Sequence, residues 1–100
     1  MHDPGTSGRS ARLARRHFLT ADLEIGFALL RAAAKSRTLA NRAFELRQIE
    51  EARLALQRAR TLHADMHEED AGKFNARIDE LERAIEAATK PARNGIARGT

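Results

Sequence analysis

His63 and His67, four residues apart, with Asp70 three further on, form the sharpest arrangement of chemistry-bearing side chains in the chain. Two imidazoles one helical turn apart can chelate zinc, nickel or copper when a carboxylate completes the set. The competing reading places both histidines at the end of a helix, where partial positive charge suits the dipole. The chain has no H-E-x-x-H motif and no E-x-x-H pair of the di-iron bundle kind, so metal-assisted hydrolysis and oxygen chemistry lack their ligands. His63, His67 and Asp70 are a candidate metal set only, and the expectation is no metal and no cofactor.

Arg9, Arg12, Arg15 and Arg16 form a second cluster, followed by His17 and Phe18. Cations in such an arm can neutralise phosphates and release counterions, which suits nucleic acid or an anionic membrane surface. Aromatic side chains interleaved for base stacking and a recognition-helix signature are both missing, which favours a solvated basic arm. Ser7, Ser10 and Ser36 sit outside any strand-turn-helix elbow, so no triad can be drawn. Gly5, Gly8, Gly26, Gly72, Gly95 and Gly99 make neither G-x-G-x-x-G nor a P-loop. Gly26 falls inside a helical pattern, where it costs about 1 kcal/mol relative to Ala and either permits a close helix contact or is simply tolerated. Glu45, Glu50, Glu51, Glu80 and Glu82 fall on charged helix faces without the apolar pocket that acid catalysis requires. No catalytic residue is assigned, and the chain is not expected to be an enzyme.

Composition bounds what can position these residues. One hundred residues and 11.1 kDa fit one small domain. Twenty Ala and eleven Leu against no Val, with four aromatics in all, favour helices over strands. The absence of cysteine removes disulfides, thiolate nucleophiles and Cys-based zinc sites, and the cytoplasm is the expected location. No apolar run approaches the ~20 residues of a membrane span, and no signal-peptide core is recognisable. The net charge of +4 is unevenly placed: residues 1–20, 21–64 and 90–100 are each +3, whereas 65–89 are −5.

Residues 1–19 lack a sustained apolar face and read as a flexible basic N-terminal arm. Leu23, Phe27, Leu30 and Ala34, widened by Ile25 and Leu29, predict a helix over 20–35, with Thr20 as N-cap and Asp22 and Glu24 in its first turn. Lys35 to Thr38 interrupt the stripe and offer Ser36 or Thr38 as the next cap. No Gly or Pro seals that turn, so continuity from 20 to 46 is the alternative. Leu39, Ala43, Leu46, Ile49, Ala52, Leu56, Ala59, Leu62 and Met66 predict one long helix over 38–66, about 43 Å against about 24 Å for the first. HEEDAG at 67–72 breaks the pattern. Phe74, Ile78, Leu81, Ile85 and Ala88 then mark a third helix over 71–89 with heptad spacing, ended by Pro91. Residues 91–100 read as a flexible basic tail.

The stretch Leu39, Ala40, Ala43, Ile49-Glu50-Glu51-Ala52, Leu56 and Ala59 resembles a tetratricopeptide repeat, whose small residues let two helices approach closely. Residues 20–89 are also similar to microtubule-interacting-and-transport-type three-helix bundles, with an EEA-x-x-AL-like second helix and a heptad third helix. Both resemblances imply binding of peptides or partner helices and carry no catalytic residues.

The expected architecture is all-α, a small antiparallel three-helix bundle over 20–90 with a long central helix. Its core is Leu23, Phe27, Leu30, Leu46, Ile49, Leu56, Phe74, Ile78, Leu81 and Ile85, and the basic second helix faces the acidic third. A central helix that outreaches the first leaves an uncovered apolar strip through Leu39, Ala43, Leu46 and Leu54. A strip of this kind meets another helix or a second copy. The function expected is therefore a non-enzymatic protein–protein interaction module or small adaptor, acting on a protein partner or as a homodimer through Leu39, Ala43 and Leu54. The alternative is a small basic nucleic-acid-associated protein using Arg9, Arg12, Arg15 and Arg16 with Arg53, Arg58 and Arg60. No small-molecule substrate and no membrane span are expected.

Overall fold

The computed structural model describes the backbone of residues 4–90 and the side chains of residues 9–90. Three helices, α1 (Pro4–Thr38), α2 (Arg42–Ala64) and α3 (Glu68–Thr89), follow one another with short turns, and no strand occurs among the described residues. The protein is an all-α three-helix bundle. The tail expected over 91–100 lies outside the described residues.

The long member of the bundle is α1, with 35 residues against 23 in α2, rather than the central helix. Residues 4–19, expected as a flexible arm, belong to it. Pro4 occupies the first helical position, where its missing N–H costs nothing. Extending a formed helix adds one hydrogen bond for each residue fixed, so contacts far along α1 support the turns before them. Leu19 is fully buried, and Arg12 donates from Nε and Nη2 to Asp70 Oδ2 of α3, each at 3.2 Å. These contacts join the expected arm to the bundle. At ~1.5 Å per residue α1 is about 52 Å long and α2 about 35 Å, so α1 covers α2 completely and runs past its C-terminal end.

The break after α1 falls at 39–41, later than expected. The Asn41 N–H reaches the Ser36 carbonyl at 2.8 Å and the Ala40 N–H reaches the Arg37 carbonyl at 3.0 Å, a Schellman closure. Its left-handed position is held by Ala40 at φ 60°, where glycine is usual, so no sequence punctuation marks it. Asn41, not Ser36 or Thr38, caps α2: its side chain accepts from the Phe44 N–H at 3.2 Å. The helix does not continue from 20 to 46.

The second turn is also shifted, since α2 ends at Ala64 and α3 begins at Glu68. His67 caps α3 by accepting from the Glu69 N–H, and Glu68, Glu69 and Asp70 fill its first turn, where carboxylates suit the dipole. The segment that breaks the apolar pattern is thus the start of a helix.

Leu19 and Leu23 of α1, Ala52, Leu56 and Ala59 of α2, and Ile78, Leu81 and Ile85 of α3 form one buried cluster, with Phe27, Leu30 and Phe74 packed half-buried against it. Each fully buried Leu or Ile contributes about 1.5–3 kcal/mol. Leu46, expected in the core, is 47% exposed, because the buried face of α2 runs through Glu45, Gln48, Ile49, Ala52, Ala55, Leu56 and Ala59. Gly26 does serve a close contact: a Cβ there would lie 2.7 Å from Leu81 Cδ2. Asp22 pairs with Arg58 at 3.1 Å and Arg37 with Glu45 at 2.7 Å, so α1 and α2 run antiparallel in their more extensive packing. Only Arg60–Glu82, at 2.6 Å, joins basic α2 to acidic α3 among the described ion pairs.

Candidate interaction surface

Among the described residues, Leu13, Phe18, Ile25, Leu39, Phe44, Leu46 and Leu54 are large apolar side chains left exposed. Three of them surround the α1–α2 turn: Leu39 just before Ala40, at 70% exposure, and Phe44 and Leu46 on the first turns of α2. Ala43 and Leu54, three helical turns apart, share the outward face of α2, opposite the Ala52–Ala59 seam. Leu39, Ala43 and Leu54 are therefore all at the surface. Glu50 and Arg47 lie between Ala43 and Leu54 on that face, so these residues form two patches rather than a continuous strip.

A second apolar surface lies along α1. Phe18, Ala21 and Ile25 border a groove closed on the other side by Thr61 and Leu62 of α2, with the Asp22–Arg58 ion pair crossing it. On the α3 side, Glu24, Phe27, Arg31 and Arg77 border a second groove, where the Arg77 guanidinium covers the Phe27 ring at 4.3 Å. Phe18 escapes a sequence reading that starts the helix at 20, and Ile25 enters it only as a widening of the inner stripe; the signal for both was the three-four spacing that continues back through Phe18.

The chemistry-bearing candidates are dispersed into structural contacts. His63 Nε2 lies 2.9 Å from the Ala71 carbonyl, His67 is the cap of α3, and Asp70 is buried against Arg12. Among the described residues no group of three His, Asp or Glu side chains is arranged to hold a metal ion. In the arginine cluster, Arg12 is bound to Asp70 and Arg15 donates to the Asp65 carbonyl at 3.3 Å, whereas Arg9 is exposed and Arg16 half-buried.

Glu45, expected on a solvated face, is 2% exposed. Arg37 Nε reaches its Oε2 at 2.7 Å and Arg42 Nη1 its Oε1 at 3.3 Å. The hydrogen bond from Arg37 holds the Glu45 carboxyl below its ordinary range, against burial, which acts in the other direction. Beside it the buried Ser36 hydroxyl donates to Gln48 Oε1 at 2.9 Å, and Arg37 Nη2 donates to the Ala88 carbonyl. This polar cluster ties α1, α2 and the end of α3 together behind the Leu39 patch.

No helix among the described residues is long and apolar enough to cross a membrane. No family model, curated protein or solved structure matches the chain.

Proposed function

We propose that the protein is a non-enzymatic helical interaction module, a small adaptor that takes a protein partner or a second copy of itself, with Leu39, Ala43 and Leu54 in the contact. The observation that carries this reading is the exposed apolar surface. Among the described residues of this 11.1 kDa chain, seven large apolar side chains stand at the surface although the three helices already enclose a core. The likeness of residues 39–59 to modules that bind peptides and helices points the same way, and the cysteine-free composition suits the cytoplasm as its place of action.

A photo-reactive residue at position 39, 43 or 54 in expressing cells tests the reading. Protein adducts are expected at these positions and not at exposed Lys73, and their absence at all three overturns it. Of the seven arginines that the nucleic-acid reading uses, Arg12, Arg15, Arg58 and Arg60 are engaged in internal contacts. Titration of a labelled duplex is expected to show only weak binding that salt abolishes.

A further inference from the structure

A helix that only packs into its own bundle needs one apolar stripe; α1 carries two. The inner stripe includes Leu19, Leu23, Gly26, Leu30 and Ala33. The outer stripe is Ala14, Phe18, Ala21, Ile25, Ala28 and Ala32, spaced by four, three, four, three and four. This is the heptad spacing of a helix–helix seam. Phe18 is 62% exposed and Ile25 45%, while Ala14, Ala21 and Ala28 are exposed and Ala32 half-buried.

The charges beside this stripe indicate what covers it. Glu24 and Arg31 border the same groove along α1, and neither has an ion-pair partner among the described residues. They are seven residues apart, about 10.5 Å along one helix, too far to meet each other. A twofold axis crossing α1 between Phe27 and Ala28 sets each against the other's copy in an antiparallel pair. The same register places Ile25 over Ala28 and Ala32 of the second copy, a large side chain against two small ones. It also brings Phe18 within two residues, about 3 Å of helix rise, of Leu39 of the second copy, the most exposed large apolar side chain among the described residues. One register thus satisfies both unpaired charges and covers Phe18 and Ile25.

We infer that the outer stripe of α1, centred on Phe18 and Ile25, is the seam of a closed antiparallel homodimer in which Glu24 pairs with Arg31 of the second copy. The inference rests on the interaction-module reading and names its partner and its main contact surface. A two-fold interface of this kind uses the same patch on both copies and closes without leaving a free face.

The test is the solution mass of the full chain by light scattering over a concentration series, with far-UV circular dichroism on the same samples. The wild type is expected at about 22 kDa, twice 11.1 kDa. Phe18→Glu or Ile25→Glu is expected to return the monomer mass with unchanged helicity, since both side chains are already exposed within one chain. Glu24→Arg alone or Arg31→Glu alone is expected to weaken association about tenfold, each placing like charges together twice. Mixing the two variants is expected to restore a dimer, because each then supplies the charge that the other lacks. A monomer at all concentrations overturns the inference, as does a dimer indifferent to Phe18→Glu and to both charge changes. In either case, adducts at 39, 43 or 54 still decide separately whether the chain is an interaction module.

Discussion

At the scale of single residues, the strongest constraint lies at Glu45, a carboxylate enclosed within a polar cluster. Removing Arg37 leaves that buried carboxylate with Arg42 alone, whereas removing Glu45 leaves a guanidinium already half in water. Arg37→Met is therefore expected to destabilise more than Glu45→Gln, by about 1–3 kcal/mol against about 1 kcal/mol in chemical denaturation. The folded pKa of Glu45 lies below its ordinary value of 4.5. Its stabilising contribution is therefore present above that value and lost as pH falls from it through the folded pKa. Melting temperatures from pH 6 downward are expected to fall less steeply below 4.5 in Glu45→Gln than in the wild type. Nothing in the sequence separated Glu45 from Glu50 or Glu51. The three differ only in which face of α2 meets α1, and that depends on the phase of the packing rather than on residue type.

At the scale of the elements, two glycines within helices should respond oppositely to one substitution. In α3 a Cβ at Gly72 meets nothing within 4 Å, so Gly72→Ala is expected to stabilise by about 0.5–1 kcal/mol through helix propensity. In α1 a Cβ at Gly26 would lie 2.7 Å from Cδ2 of Leu81, a fully buried side chain that would have to shift. Gly26→Ala is expected to lose about 1 kcal/mol net, as overpacking outweighs the propensity gain. Thermal melts of the two variants check both signs. The Schellman turn gives a third case: Ala40→Gly removes the left-handed strain of a side-chain-bearing residue and is expected to raise stability by about 1 kcal/mol, read as a higher denaturation midpoint. The helical character of all three segments was legible from three-four apolar spacing. The end of α3 at Thr89 was legible from Pro91, whereas the turns between the helices were not, because Ala40 and His67 occupy cap positions for which the usual residues are Gly and Ser, Thr, Asp or Asn.

For the whole molecule, the length of α1 controls the shape. The bundle measures 68 × 22 × 14 Å along its principal axes. The N-terminal part of α1 is tied to the α2–α3 end by Arg12–Asp70 and Arg15–Asp65. Asp70→Ala is expected to cut amide-exchange protection across residues 9–16 several-fold while leaving 23–33 unchanged, because the latter are held by the apolar core. Uniform loss of protection along α1 would show that these ties support the entire helix rather than its end. The outer stripe makes the same helix the candidate seam between two copies. It was only partly visible in sequence, since Ile25 was read as widening a single stripe and Phe18 fell in the presumed arm.

The sequence alone determined that this chain is helical and three-membered, with breaks placed after residues 35 and 66, the first of them short of the observed turn at 39–41. These features follow from local propensity and from apolar periodicity, which act over a few residues. It also identified Leu39, Ala43 and Leu54 as surface positions and Leu23, Ile49, Leu56, Ile78, Leu81 and Ile85 as buried ones. Only the tertiary structure decided that residues 4–19 extend α1, that Glu45 turns inward and Leu46 outward, and that Gly26 admits Leu81. Each of these depends on a partner distant in sequence: Asp70 for Arg12, Arg37 for Glu45, Leu81 for Gly26. Packing and charge neutralisation between distant segments, unlike periodicity, leave no local signature in the chain.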